Sequence, residues 1–416
     1  MERLNFRLDL VTPAFLGGAT QSSEWRLPPI KAALRQWWRI VAAKHNGYDF
    51  MKIRELEGSL FGHAWLKHSG PGIEARTWAL KSPVRFALRS WTPGKMSSWQ
   101  NDPKISHPEV GMPVGAHLYL GYGPLTFKDG HTALKAPPAL SPRETATLSL
   151  YFPETVATPY GNLRVGAHLQ LAFRLLRAFG TIGGRSRNGW GSVDCEPYQE
   201  HDGAPHNAVA ESGASLSLLE LDQMLLKCSR EFSRSLEDCL KLDWPHAIGV
   251  DTTGVLVWRS RKPWSSWEQA MEFIATLKIA LRTGLAPFTK NSDLSNPVVD
   301  LRHIFAYPVT NHGVLEWSER DKMGNPKPTK SRKLRQTERF ANQLRFKVHR
   351  VQGGYVVVAV HIPHRVPDVL LRKLRPQDQQ FLRSEELKLW RKVHQYLDRD
   401  ANLVRVQQAT TGDSVR

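Results

Sequence analysis

The alternation of apolar and polar residues predicts a strand, a loop and a helix within the first forty residues. In Leu4–Val11 every second residue is apolar, which is the period of a half-buried strand. After Pro28 and Pro29, apolar residues recur at intervals of three and four from Ile30 to Val41. That spacing is typical of an amphipathic helix, and helices accept proline in their first turn.

Further along, the same patterns predict an α+β arrangement over the first 200 residues. Strands are expected at Val84–Ser90, His117–Tyr122 and Ser192–Pro197, and a strongly apolar helix at Val165–Gly180. The resulting order β, α, β, β, α, β is that of a ferredoxin-like domain. Residues 92–115 and 123–144 are rich in Pro, Gly and Ser and predict long loops.

The second half repeats this mixture after a polar linker at residues 201–215. The expected elements are helices at Leu216–Leu242, Trp267–Thr283 and Glu385–Leu397, a strand at Gly254–Arg259, and a hairpin of Gln343–Val351 with Gly354–Ile362. Residues 321–339 are rich in Lys and Arg and predict a disordered basic arm. The fold class is thus α+β, with two ferredoxin-like (RRM-like, βαββαβ) domains at 1–200 and 216–416.

The charge balance adds a class of partner. Lys and Arg total 57 against 39 Asp and Glu, giving a net charge of +18 and a pI of about 9.9. A surplus of this size favours nucleic acid as a partner, with a generally basic proteome as the alternative. No apolar run is long enough for a membrane span, and three cysteines lack a metal-ligand spacing. We therefore expect a cytoplasmic protein with reduced thiols, no membrane contact, no cofactor and no metal site.

Three cations form a stripe on the first predicted helix. Lys31, Arg35 and Arg39 are spaced by four residues, so they lie on one helix face, and like charges at that spacing repel. This cation stripe favours an anionic ligand, although a solvated helix face is the alternative.

The segment Gly180–Ser192 has the sequence GTIGGRSRNGWGS and holds two arginines among its glycines. Glycines permit positive φ angles and close backbone approach, so that N–H groups can surround an oxyanion. It is not a P-loop, since Trp190 follows Gly189 where Lys should stand, and it does not open a helix after a strand as a dinucleotide fingerprint does. This glycine-rich loop predicts phosphate or RNA-backbone binding, with a simple turn as the alternative.

Together these motifs resemble the RAMP superfamily, and within it the subunit-one family of type III-B (Cmr) CRISPR effector complexes. The resemblance lies in the first strand and in the segments TPAFLGGA, PPIKAALRQWWR, SLFG and GGRSRNGWGSV. In the second half, RFANQLRFKV (Arg339–Val348) resembles the family's RFASP strand, with Asn342 and Gln343 replacing Ser-Pro.

The resemblance implies a non-catalytic RNA-binding subunit of a ribonucleoprotein that acts in antiviral defence. It would bind guide RNA (crRNA) and single-stranded target RNA by their backbones near the 3′ end of the guide, beside other Cmr-type subunits. Carried over residue by residue, the RNA-binding positions are on the helix and in the loop: Lys31, Arg35, Arg39, Gly183, Gly184, Arg185, Ser186, Arg187 and Asn188.

Two alternatives remain open. Related RAMP enzymes cut guide RNA without metal, using a histidine as general acid or base, but none of the 16 histidines lies in a recognisable triad. A scaffold whose basic surface meets an acidic protein is the other. The fourteen tryptophans are expected mainly in the core, with Trp99, Trp190 or Trp264 as candidates for stacking on bases.

Overall fold

The computed structural model describes residues 1–67, 77–89, 91–198, 215–287, 298–309, 312–321, 323–325 and 337–407. In chain order the strands are β1 Glu2–Leu10, β2 His63–Lys67, β3 Thr77–Leu80, β4 Arg85–Leu88, β5 Lys104–Ile105, β6 Val114–Gly115, β7 Leu125–Lys128, β8 His131–Leu134, β9 Thr145–Phe152, β10 Thr155–Thr158, β11 Gly161–Arg164, β12 Val193–Pro197, β13 Ser233–Ser235, β14 Ile248–Asp251, β15 Gly254–Val255, β16 Val257–Ser260, β17 Leu344–Val351, β18 Gly354–His361 and β19 Leu403–Arg405.

The α-helices are α1 Leu27–His45, α2 Phe50–Phe61, α3 Ala116–Gly121, α4 Val165–Phe179, α5 Leu218–Glu231, α6 Leu236–Cys239, α7 Trp267–Ala280, α8 Arg302–Phe305, α9 Asp368–Leu371 and α10 Pro376–Arg399. A π-helical turn, Leu281–Leu285, continues α7, and a short 3-10 helix covers Leu315–Trp317. The predicted α+β class is confirmed.

The first large sheet has four antiparallel strands in the order β12-β1-β9-β4. Its two central strands pair from Glu2 opposite Phe152 to Asp9 opposite Thr145. Helices α1 and α4 cover it, and the rings of Phe6 on β1 and Phe173 on α4 stack with centroids 3.8 Å apart. The alternation in Leu4–Val11 therefore marks a face that packs on helices.

The predicted strand at His117–Tyr122 is wrong, because Ala116–Gly121 forms helix α3. The strand that completes the sheet is β9, in which Ala146, Leu148, Leu150 and Phe152 are buried on one face. The period-2 pattern of β9 is present in the sequence. The short apolar run His117–Tyr122, which was predicted to be the strand, fits a helical turn as well as a strand.

The second large sheet also has four antiparallel strands, in the order β17-β18-β16-β19. The hairpin β17–β18 matches the predicted one. The strand β19 at its edge was not predicted, because three residues are too few to show a period. Helices α7 and α10 pack against this sheet. The core that they share with it is rich in aromatic residues and includes Trp258, Trp317 and Trp390.

The glycine-rich loop, which belongs to the first half of the chain, contacts the second half. Phe346 on β17 donates its N–H to the carbonyl of Arg187 at 3.1 Å. Nearby, the buried Lys347 ammonium donates to the carbonyl oxygens of Leu176, Arg177 and Val193 at 3.0, 2.5 and 2.7 Å. Burial lowers the pKa of Lys347 to about 8, and the three carbonyls satisfy all of its donors. Strand β17 therefore contacts the loop at Arg187 and also contacts α4 and β12, the elements that precede and follow the loop.

Two predicted segments fall mainly outside the described residues: the linker, except Ser215, and positions 322 and 326–336 of the basic arm. Cys195, Cys228 and Cys239 are free thiols in the core. Within the described ranges, no helix combines the length and the apolar character needed to cross a bilayer.

Candidate nucleic-acid interface

Packing requires several of the glycines in the glycine-rich loop. Gly183 has φ +91°, and a Cβ there would lie 2.6 Å from the carbonyl oxygen of Phe15. At Gly191, with φ +65°, a Cβ would lie 1.9 Å from the carbonyl oxygen of Ile182. Side chains at these positions would force the backbone apart. Part of the glycine pattern thus serves the fold.

Several backbone N–H groups of the loop donate to carbonyl oxygens of the protein. Gly184 donates to Phe15 at 2.8 Å, Asn188 to Arg185 at 2.9 Å and Gly189 to Ser186 at 3.1 Å, each bond ending on a carbonyl oxygen. These three N–H groups are therefore occupied within the protein, and the predicted oxyanion nest would have to use other N–H groups of the loop. The positive charge near the loop comes from side chains.

Those side chains line a cleft of about 660 Å³ between the loop, the π-helical turn after α7 and residues 339–342. We call it the cationic cleft, and its lining residues are Tyr119, Tyr122, Arg185, Ser186, Arg187, Asn188, Lys278, Arg282, Arg302, Phe305, Ala306, Tyr307, Pro308, Val309, Arg339, Phe340, Ala341 and Asn342. Of its cations, Arg302 is paired with Glu109 at 2.5 Å. The other five have no carboxylate partner among the described residues.

Mutual repulsion and burial affect the ionisation of this group. Burial, followed by the charges of Arg282 and Arg185, lowers the pKa of Lys278 to about 7. Burial lowers the pKa of Arg187 to about 10, and burial together with Arg339 lowers that of Arg185. Crowded cations without a counter-ion are stabilised by any anion that enters the cleft.

Hydrogen bonds hold the loop side chains in place. The Asn188 amide donates to the carbonyl of Leu120 at 2.7 Å and accepts from the Lys278 ammonium at 2.5 Å. Arg187 donates through Nη1 to the carbonyl of Asn342 at 2.8 Å. Asn188 and Arg187 thus position the cleft, whereas Arg185 is exposed to solvent.

The cation stripe on α1 has a different environment. The Glu57 carboxylate on α2 accepts from Arg35 Nε at 2.6 Å, and from Arg39 Nε and Nη2 at 2.6 and 2.8 Å. The Lys31 ammonium donates to the carbonyl of Phe61 at 2.9 Å, and burial together with Arg35 lowers its pKa. The anion that the spacing of these cations predicted is thus a side chain of the same protein.

The structure therefore divides the predicted site residues into two sets. Gly183, Gly184 and Ser186 lie opposite a different face of α1, the one that presents Pro29, Ala33 and Gln36. The stripe faces α2 instead and does not line the cationic cleft. Of the predicted loop residues, Arg185, Ser186, Arg187 and Asn188 line the cleft, whereas Gly183 and Gly184 do not.

Two of the three candidate base-stacking tryptophans are buried. Trp99 and Trp190 are 8% and 0% exposed, and their rings contact each other with centroids 5.4 Å apart. Trp264 is partly buried against Phe273. The exposed aromatic side chain at the cleft is Tyr122, which is 65% exposed.

Sequence reasoning missed Lys278 and Arg282. They are spaced by four residues on a helix that was predicted, the same signal that drew attention to the cation stripe. Arg282 lies in the π-helical turn, a geometry often found at functional sites. Its Nη1 donates to the Tyr119 hydroxyl at 3.3 Å.

The chemistry available in the cationic cleft is positive charge and hydrogen-bond donation. None of the described residues that line it is a histidine, aspartate or glutamate. Likewise, the described ranges contain no group of three potential metal ligands.

Part of the chain matches the model of a known family. The family model of the RAMP superfamily matches residues 7–194, which include the end of β1, all of α1 and α4, and the glycine-rich loop. No curated protein matches the chain.

Solved structures with similarity include the apo form of Cmr1 from Pyrococcus furiosus, with a TM-score of 0.40 and 14% identity over 92% of this chain and 97% of that one. Type III-B Cmr-beta bound to cognate target RNA and AMPPnP in the presence of ssDNA gives a TM-score of 0.44 and 14% identity over 94% and 99% of the two chains. Cmr-beta bound to cognate target RNA gives 0.41 and 13% over 92% and 100%. Through residues 7–194, this part of the chain is similar to the RAMP superfamily.

Proposed function

We propose that the protein is a non-catalytic subunit of a type III CRISPR effector complex that holds guide and target RNA by their phosphates in the cationic cleft. The observation that carries this proposal is a set of five cations in one cleft that have no carboxylate partner among the described residues: Arg185, Arg187, Lys278, Arg282 and Arg339. Phosphates spaced along a single strand are the anions that such a row of donors fits.

The match of residues 7–194 to the RAMP superfamily model supports the class of complex. RAMP motifs lie in the half that the family model matches, and the RFANQ segment adds Arg339 and Asn342 to the same cleft. We place the subunit near the 3′ end of the guide on the resemblance to the type III-B family, beside other Cmr-type subunits.

The fold proposal follows the strand orders. Numbered within each sheet, both sheets have the order 4-1-3-2, with helices after the first and third strands. We take this as two ferredoxin-like domains, 1–200 and 216–416, with the cleft where they meet.

The test is fluorescence anisotropy with a labelled single-stranded RNA of about 40 nucleotides over a salt series, with a denaturing gel of the same samples in chelator. Binding to intact RNA is expected, with log K falling by about 0.7 per neutralised phosphate for each tenfold rise in salt. Cleaved RNA would establish a metal-independent endoribonuclease instead. Absence of binding would favour a scaffold that meets an acidic protein.

A further inference from the structure

A second cavity lies on the other side of the glycine-rich loop from the cationic cleft. It has a volume of about 250 Å³, and we call it the loop cavity. Its lining combines the aromatic rings of Phe15, Trp37 and Phe179 with polar side chains. Ser186 and Arg187 line both the cavity and the cleft. A strand held in the cleft therefore passes beside this cavity.

The cavity is also lined by Arg345 on β17, which is buried more deeply than its other polar side chains. Its side chain is buried at 7% exposure, and no carboxylate among the described residues pairs with it. Its Nη1 is 3.3 Å from Gln36 Oε1, its guanidinium lies 5.4 Å from the Trp37 ring centroid, and its Nε has no acceptor. Burial and Arg187 hold the pKa of Arg345 well below its usual range. A buried cation in this state needs a ligand with acceptor atoms.

We propose that the loop cavity receives one unstacked base of the bound RNA, and that Arg345 selects guanine there. This inference rests on the proposed function, because the RNA strand must already lie in the cleft. Aromatic and apolar walls suit the two faces of a base better than a phosphate, and splayed bases are the usual targets of RNA recognition.

The choice of base follows from the donors. Arg345 can only donate hydrogen bonds, so it requires acceptors. Guanine presents adjacent O6 and N7 acceptors, whereas adenine pairs its N7 with an amino donor. A guanidinium that contacts O6 and N7 together is therefore expected to discriminate in favour of guanine.

The experiment measures anisotropy at fixed salt with labelled 12-nucleotide uridine RNA and with the same RNA carrying one central guanosine, adenosine, cytidine or 7-deazaguanosine. Flanking uridines let the strand slide until the odd base meets the cavity. The guanosine RNA is expected to bind about tenfold more tightly than all-uridine RNA, and 7-deazaguanosine should lose most of that gain.

Two variants test the site itself. Ala32 is exposed at the cavity rim, so Ala32→Phe should block entry without disturbing the core. Arg345→Met removes the donors. Both should abolish the guanosine gain and leave all-uridine affinity and its salt dependence unchanged, while Ala157→Phe, at an exposed alanine outside the cavity, keeps the gain.

The outcomes separate the two proposals. Equal binding of all the RNAs would overturn the base pocket and leave the proposed function standing. A uniform loss of affinity for every RNA in folded Arg345→Met would show that the guanidinium holds a phosphate, which also overturns it. No binding of any RNA by the wild type would overturn both.

Discussion

The cation stripe on α1 and the cationic cleft contain similar residues in opposite circumstances. Arg35 and Arg39 share one carboxylate, Glu57, whose side chain is 6% exposed. Lys278 and Arg282, also spaced by four on a helix, have no carboxylate partner among the described residues. Identical spacing thus produces a structural ion pair in one place and an open anion site in the other.

The difference teaches that like charges on a helix indicate an anion but not its source. In the stripe, a buried carboxylate on the neighbouring helix α2 accepts hydrogen bonds from Arg35 and Arg39. In the cleft the charges remain in excess, and burial, followed by the charges of Arg282 and Arg185, lowers the pKa of Lys278. In solution, we therefore expect a polyanion to bind the cationic cleft and not the cation stripe.

The largest effect is a loss of stability, expected when the two arginines of the cation stripe are substituted. Arg35→Met/Arg39→Met leaves the buried Glu57 carboxylate without its partners, so the free energy of unfolding should fall by about 3 kcal/mol. Urea denaturation measures this loss. The RNA affinity of the folded fraction should not change.

A compensating substitution provides the control for the stripe. Adding Glu57→Leu to the double variant removes the unpaired charge and should restore most of the lost stability. If the folded double variant instead bound RNA several-fold more weakly, the stripe would belong to the RNA site after all.

Substitutions in the cationic cleft should instead weaken RNA binding and leave the stability of the protein nearly unchanged. Arg185→Gln/Arg282→Gln is expected to weaken single-stranded RNA binding about thirtyfold, since two phosphate contacts are lost. The slope of log K against log salt should fall by about 1.4, or 0.7 for each contact. Anisotropy over a salt series measures both quantities.

Stability is the control for the cleft variant. Removing two unpaired cations should leave the free energy of unfolding within about 0.5 kcal/mol of the wild type. Unchanged affinity together with an unchanged salt slope would exclude these two arginines from the RNA contact.

The sequence predicted the parts of the fold that have strong periods. The strand at Leu4–Val11, helix α1 and the hairpin β17–β18 followed from alternation or helical spacing. The helix α3 was mistaken for a strand because six residues are too few to separate the two periods. For β19 the pairing with β16, and not a local pattern, defines the strand.

The candidate site was predictable only in part, for a similar reason. Glycines and arginines in Gly180–Ser192 are adjacent in sequence, so their joint role is visible there. The meeting of Arg187, Lys278 and Arg339 depends on tertiary packing, as does the pairing of Glu57 with the stripe. Distant residues brought together by the fold leave no local signal in one sequence.

A smaller effect is expected from the exposed aromatic side chain at the cleft. Tyr122→Ala should weaken single-stranded RNA binding about fivefold if a base stacks on the ring, and should not change the affinity for duplex RNA. Phe127 is similarly exposed, at 57%, but does not line the cleft. Phe127→Ala is therefore the matched control, and equal losses in the two variants would argue against stacking at Tyr122.

The smallest effect is a pH dependence of the RNA affinity, which Lys278 in the cleft should cause and Lys31 in the stripe should not. With the pKa of Lys278 at about 7, its ammonium is mostly charged at pH 6 and mostly neutral at pH 8. RNA phosphate favours the charged form, so the affinity should fall about threefold over that interval, as measured by anisotropy in buffers of equal ionic strength. Lys278→Met should flatten this change, whereas Lys31→Met should keep it, because the Lys31 ammonium contacts Phe61 and not the cleft.

The same titration has a defined sign for stability. Between about pH 7 and the ordinary lysine value of 10.5, the unfolded chain binds more protons at Lys278 than the folded protein does. The contribution of this residue to the free energy of unfolding must therefore rise with pH across that window, and bound RNA should reduce the rise by restoring the charge. If wild type and Lys278→Met have the same pH profiles for RNA affinity and for unfolding, Lys278 does not titrate in this pH range. The proposed electrostatic difference between the cleft and the stripe would then be wrong.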